Sequence, residues 1–183
     1  TLNIKGGYIE GDQAGIAIKS GILKIDGGTI ECNGPDTTPT EGYNNGVNAS
    51  GTAIQIESNP GYAGNMEIAI NNGNIRSKNS NVIYEYIGKG STTQVKAISL
   101  NGGIYKSLAD KNVFLLSNSF KNTHPKFISG GSYSSNPNEY LLSGYSSTQN
   151  DGLYTVDKST IKTVFNETNQ EKSNYLTITL ISI

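Results

Sequence analysis

Six carboxylates fall on strand-like segments of this chain: Glu10, Asp26, Glu31, Glu57, Glu67 and Glu85. A glycoside hydrolase needs two carboxylates at a fixed separation, one to protonate the leaving oxygen and one to act as base or nucleophile. No Asp-Asp or Asp-x-Asp occurs, and the acids come mostly singly along the chain. The expectation is therefore that no carboxylate pair occupies matched positions on neighbouring repeats. A polysaccharide lyase needs a cation to acidify the proton beside a uronate carboxylate, and a base to remove it. Arg76, the only arginine, and Lys78 are the cationic candidates, with Glu57, Glu67 or Glu85 beside them. The same residues read more simply as solvated strand charges, so no catalytic residue is assigned and the chain is expected not to be an enzyme.

Metal and thiol chemistry are equally thin. Calcium wants several carboxylate and carbonyl oxygens converging on one loop. Asp36 and Glu41, with Asn and Thr oxygens between them, permit calcium without indicating it, and the Gly-Gly-x-Gly-x-Asp repeat of calcium-loaded solenoids is missing. No metal ligand and no cofactor are assigned. The single Cys32 excludes an internal disulfide and a cysteine-based metal cluster, and the single His124 sits far off in an Asn-Thr-His-Pro segment, so Cys32 reads as a buried thiol. Aromatic residues say more, because there are eleven Tyr and no Trp. Tyr8, Tyr43, Tyr62, Tyr84 and Tyr86 fall at alternating or loop positions, and Tyr84 and Tyr86 share one face of their strand with Glu85 on the other. An exposed tyrosine offers a flat apolar face with a polar tip, suited to stacking on a sugar ring or a partner protein. These five are the candidate binding residues; scattered surface tyrosine is the plainer alternative.

The segments that carry these groups repeat. Leu2-x-Ile4-x-Gly6-Gly7-x-Ile9 returns as Leu23-x-Ile25-x-Gly27-Gly28-x-Ile30, Ile68-x-Ile70-x-Asn72-Gly73-x-Ile75, Ile98-x-Leu100-x-Gly102-Gly103-x-Tyr105 and, more worn, Ile128-x-Gly130-Gly131-x-Tyr133. Period-2 alternation predicts strands, and recurrence with fixed internal spacing predicts stacked strands rather than a meander. A second short strand follows each copy: Ala14–Ile18, Ala53–Ile56, Val82–Tyr84, Val113–Leu116 and Tyr140–Leu142. The second glycines stand at 7, 28, 73, 103 and 131, giving separations of 21, 45, 30 and 28 residues. Asn33–Ser50, rich in Gly, Pro, Thr and Asn, accounts for the longest and is predicted to be a surface excursion. A β-sandwich with Gly-Gly hairpins is the alternative, but it does not explain one motif at irregular separation. No segment keeps a 3.6-residue period over three turns, so helices are not expected.

Length and composition bound the rest. A chain of 183 residues is one domain with room for a continuous core. Charged residues make up 16%, against the usual ~25%, with a net charge of −1 and no basic stripe. Phosphate neutralisation is thus excluded, and nucleic acid is not an expected partner. No apolar run approaches the ~18 residues of a membrane span. The chain opens at Thr1 with neither initiator Met nor signal peptide, so either a leader has been removed or, the reading favoured here, it is a segment of a larger protein.

Leu23-Lys-Ile-Asp-Gly-Gly-Thr-Ile-Glu31, following Gly15–Gly21, resembles right-handed β-helix repeats in surface proteins of anaerobic bacteria, including carbohydrate-binding modules of the pectate-lyase-like fold. Ile128–Tyr145 with Asp151-Gly-Leu-Tyr-Thr-Val156 is similar to a terminal β-helix motif of secreted bacterial and phage-encoded virion proteins. The resemblance covers residues 1–156. It implies an all-β, right-handed parallel β-helix (a single-stranded solenoid) of about five coils, and it carries no site residues. Residues 157–183, with Thr163–Phe165 and Leu176–Leu180 as strands, are expected to form a C-terminal cap or oligomer contact. The N-terminal coil is expected to be covered by a neighbouring domain or subunit. The leading function is a non-catalytic binding or display module, secreted or on a cell surface as in an adhesin, with glycan the expected ligand. The alternative is a structural virion protein (decoration, fibre or spike segment), for which a homotrimer is compatible; a polysaccharide lyase or hydrolase comes third.

Overall fold

A computed structural model of the chain describes residues 1–39, 49–59, 61–62 and 64–160. It is mostly β. The first pass of the chain lays down β1 (Leu2–Ile4), β2 (Tyr8–Gly11) and β3 (Ala14–Ile18); the second β4 (Gly21–Ile25), β5 (Thr29–Cys32) and β6 (Thr52–Ser58). The third pass gives β7 (Met66–Ile70), β8 (Asn74–Ser77) and β9 (Ile83–Ile87); the fourth β10 (Val95–Leu100), β11 (Ile104–Ser107) and β12 (Phe114–Leu115). Each pass contributes one strand to each of three sheets, ordered β1-β4-β7-β10, β2-β5-β8-β11 and β3-β6-β9-β12, all pairs parallel.

The repeat therefore has three strands, not the two expected. The Gly pair is the corner between the first and second sheets. Its second glycine lies at φ 88°, 92°, 96° and 98° at Gly7, Gly28, Gly103 and Gly131, a backbone state that only glycine adopts cheaply. In-register pairing then builds interior columns. Ile4, Ile25, Ile70 and Leu100 align on the first sheet, and isolated bridges continue the column through Ile128 to Leu141. Ile9, Ile30, Ile75, Tyr105 and Tyr133 align on the second sheet, and Ile16, Ile54, Ile83 and Phe114 on the third. Polar residues just before the corner form a ladder of their own. Asn71 Nδ2 donates to Asp26 Oδ1 (2.7 Å), Asn101 Nδ2 to Asn71 Oδ1 (2.9 Å) and Ser129 Oγ to Asn101 Oδ1 (2.8 Å).

The C-terminal third departs from the expected pattern. Ser117 caps a six-residue helix, α1 (Asn118–Thr123), by accepting from Phe120 N, and Phe120 is buried beneath it. A capped single turn with one buried anchor needs no helical periodicity, which is why none was visible. β13 (Gly131–Tyr133) joins the second sheet parallel to β11. Tyr140–Leu142 is not a partner strand of that copy: Asn138–Tyr140 is a 3₁₀ turn, and Leu141 returns to the first sheet beside Ile128. β14 (Tyr145–Asn150) and β15 (Leu153–Lys158) form an antiparallel hairpin whose β15 lies antiparallel on β13. Its turn is Asp151-Gly152, at φ 49° and 77°, the two-residue hairpin geometry that Asp-Gly favours. β15 runs through the expected boundary at residue 156, and the strands expected in 163–180 lie outside the described residues.

The expected excursion at Asn33–Ser50 is anchored where it leaves the sheets. Asn79 Nδ2 donates to the carbonyls of Asn33 (3.1 Å) and Gly34 (2.9 Å), and Ser80 Oγ donates to Asp36 Oδ1 (2.6 Å). Lys111 pairs with the other Asp36 oxygen. This arm thus crosses the third and fourth passes, and Gly34 and Pro39 are buried.

Candidate functional site

Counting forward from each corner glycine shows how one face is assembled. The third residue after Gly7, Gly28, Gly73 and Gly103 is Glu10, Glu31, Arg76 and Lys106. Parallel register places these four side by side on the outward face of the second sheet. Adjacent strands lie about 4.8 Å apart. Two carboxylates therefore neighbour each other, followed by two cations. This overturns the expectation about carboxylates, because Glu10 and Glu31 do sit at matched positions on neighbouring strands; Lys106 also stands in register beside Arg76. A parallel row joins Tyr8, Thr29, Asn74, Ile104 and Ser132.

Glu31 is the hub. Its Oε2 accepts from Tyr8 Oη at 2.8 Å, Arg76 Nε at 2.8 Å and Arg76 Nη2 at 2.6 Å. Burial pushes the Glu31 carboxyl up, but the hydrogen bonds from Arg76 and Tyr8 and the charge of Arg76 outweigh it and hold it below the ordinary range. The same contacts raise Tyr8 and Arg76, for both chiefly the hydrogen bond to Glu31. Glu10 accepts from Asn33 Nδ2 at 2.5 Å on the solvent side. Tyr8 is 55% exposed, so its ring is presented to solvent while its hydroxyl is fixed. The face presents a pinned phenol, a committed carboxylate and a guanidinium side by side on an open surface.

A depressed carboxylate pKa makes this cluster a pH-dependent stabiliser. The unfolded chain takes up the proton near pH 4.3 while the folded one still resists it, so the contribution is full above that value and lost as pH falls through the lower folded pKa. Glu31→Gln is expected to cost about 1 kcal/mol at neutral pH, since the cluster is partly solvated. The gap between wild type and variant should close as pH falls below ~4. Urea titrations at neutral and acidic pH measure this; a constant gap would mean that the charge is not what Glu31 contributes.

The other expected residues lie elsewhere. Glu67 is on the first sheet, paired with Lys96 at 3.2 Å, and Glu57 and Glu85 are on the third, so none meets Arg76. Tyr84 and Tyr86 do share a face of β9: the outward rows of the third sheet run Ala17, Gln55, Tyr84, Leu115, and beside it Glu57 next to Tyr86. Glu57 and Gln55 are fully buried there and Tyr86 is 6% exposed, leaving Tyr84 as the partly exposed ring. Lys19 Nζ stands 3.2 Å from Glu57 Oε1 and 5.1 Å from the centre of the Tyr62 ring. Glu85 faces inward, its Oε2 accepting from Ser117 Oγ at 2.5 Å. Tyr43 and Glu41 lie outside the described residues. Both Asp36 oxygens are engaged by Ser80 and Lys111, and among the described residues no three His, Cys, Asp or Glu side chains converge on a common point. Cys32 is buried, and burial pushes its thiol up. No helix among the described residues is long and apolar enough to cross a membrane.

Comparison with family models, with curated proteins and with solved structures gave no match.

Proposed function

We propose that this chain is a right-handed parallel β-helix acting as a non-catalytic, extracellular binding module, with a glycan held on the outward face of its second sheet. The fold reading is supported by three parallel sheets visited in the same order on every pass, together with the strong right-handed preference of parallel crossover connections. The single observation that carries the ligand class is Tyr8, more than half exposed and pinned through its hydroxyl to Glu31. A held aromatic ring loses little freedom when a sugar stacks on it. Glu10 and Arg76 near it, with Asn74 and Lys106 farther along the same face, are acceptors and donors for ring hydroxyls.

Glu10 and Glu31 stand at a strand spacing close to the ~5–5.5 Å between the carboxylates of retaining glycosidases. The reading nonetheless stays non-catalytic. Glu31 is committed as an anion to Arg76 and Tyr8, whereas a general acid must keep its proton at working pH.

The test is a glycan array with the purified protein, followed by titration of Tyr8→Ala and Arg76→Ala on the best ligand. Tyr8→Ala is expected to weaken binding about tenfold or more, at the scale of one lost stacking contact, with the fold unchanged by circular dichroism. No bound glycan, or binding indifferent to Tyr8, would remove the ligand assignment. Release of sugar from any polymer, abolished by Glu31→Gln, would replace it with an enzyme.

A further inference from the structure

The first Gly of each corner pair has an ordinary φ, so backbone conformation does not explain why it is glycine. Contact does. A Cβ at Gly27 would lie 2.9 Å from the Lys5 carbonyl oxygen, at Gly102 2.3 Å from that of Asn71, and at Gly130 2.3 Å from that of Asn101. In each case the corner of the preceding pass occupies the space a side chain would need. Where a side chain stands instead, at Asn72, the corner differs: the following Gly73 opens to φ 130°, against 88–98° at the other four. Gly6 belongs to the tight class, with Gly7 at φ 88°, yet a Cβ on it would meet nothing within 4 Å. Nothing among the described residues requires glycine there.

The interior columns show the same asymmetry. Leu2 is 51% exposed where its register partner Leu23 is 1% exposed, and Ile9 and Ile16 are half-buried while Ile30 and Ile54 behind them are fully buried. These three residues come from three different sheets, and β1, β2 and β3 are the outermost strands of all three at this end.

We propose that the β1–β2–β3 end is the docking surface for a further coil of the same kind, entering in covalent continuity ahead of Thr1, whose corner carbonyl seats against Gly6 as that of Lys5 seats against Gly27. Parallel pairing on three sheets at once is what a continuous chain supplies. A copy related by a twofold axis would present its own edge antiparallel. A copy stacked head-to-tail would bring, among the described residues, the β14–β15 hairpin, which extends the second sheet alone and carries no corner pair. The inference rests on sheet register and not on glycan binding, so a protein that binds no glycan leaves it intact.

The test compares Gly6→Ala and Gly27→Ala in the 183-residue chain and in the same chain carrying a copy of residues 1–21 ahead of Thr1. In the 183-residue chain Gly27→Ala should lower Tm by about 4 °C or more while Gly6→Ala stays within ~2 °C, the range of a small surface change. The added coil should melt in one transition with the rest, and the Leu2–Ile4 and Tyr8–Gly11 amides should gain hydrogen-exchange protection. Gly6→Ala at the new junction should then cost as much as Gly27→Ala and undo that protection. An equal cost of both substitutions in the 183-residue chain would overturn the proposal, as would an added coil that leaves the edge amides unprotected, or a neutral Gly6→Ala at the junction. A dimer of the 183-residue chain that already protects these amides and dissociates with Gly6→Ala would assign the surface to a second copy instead.

Discussion

Ile25→Asp is expected to abolish the cooperative unfolding transition. Ile25 is fully buried in the middle of the first-sheet column, paired in register with Ile4 on one side and Ile70 on the other. The substitution forfeits ~1.5–3 kcal/mol of apolar transfer and adds the cost of burying a carboxylate that no nearby cation can pair, several kcal/mol more. Against a total stability of about 5–15 kcal/mol, that sum is most of what holds the domain. Ile4→Asp should be milder, because Ile4 ends the column, keeps only one in-register neighbour and can turn its carboxylate toward water. Thermal melts followed by circular dichroism would show the ordering. A cooperative melt for Ile25→Asp within a few degrees of wild type would mean the column is not the organising core.

The first-sheet column was legible in the sequence because each member lies a fixed distance before its corner glycine. The same spacing contained the outward charged row of the second sheet: the third residue past the glycine gives Glu10, Glu31, Arg76 and Lys106 directly. The charges alone do not reveal it, because Glu10, Glu31, Arg76 and Lys106 stand 21, 45 and 30 residues apart and each is an ordinary polar residue on its own strand. The third sheet was not legible in this way. Its aligned residues Ile16, Ile83 and Phe114 follow their corner glycines by nine, ten and eleven residues, but Ile54 follows Gly28 by twenty-six. Its strands were visible as the second apolar segment after each copy, but loops facing water can change length without disturbing register, so spacing does not fix which of their residues align. For the same reason the pairing of Asp36 with Ser80 and Lys111, from two later passes, has no local signal. Tyr84 and Tyr86 were correctly assigned to one face, but alternation does not tell how deeply an outward face is covered.

Tyr133→Ala is expected to cost about 3–5 kcal/mol, the scale of a large aromatic removed from a core, or roughly 6–20 °C in Tm for a domain of this size. Tyr133 is fully buried, its ring centre 4.7 Å from that of Tyr105 with the planes 3° apart, and 5.8 Å from that of Phe114. The two tyrosines take the column position held by isoleucine in earlier passes, and their hydroxyls explain the change. Tyr105 Oη donates to the Gly102 carbonyl at 2.9 Å and Tyr133 Oη to that of Gly130 at 2.8 Å, so each ring ties its column to the corner of its own pass. Tyr133→Phe keeps the ring and removes only that bond, which should cost about 1 kcal/mol. The ratio between the two variants separates packing from the hydrogen bond. Burial pushes both phenols well above the ordinary tyrosine range. A raised pKa gives stability that is full below ~10, where the unfolded tyrosine titrates, and is lost as pH rises toward the higher folded value. Wild type should therefore lose stability above pH ~10 more steeply than the double variant Tyr105→Phe with Tyr133→Phe, whose rings have nothing to ionise. Guanidinium titrations between neutral pH and ~11 would measure the two slopes. Equal slopes would show that these hydroxyls ionise in place, and would contradict the closed core described at this end of the second sheet.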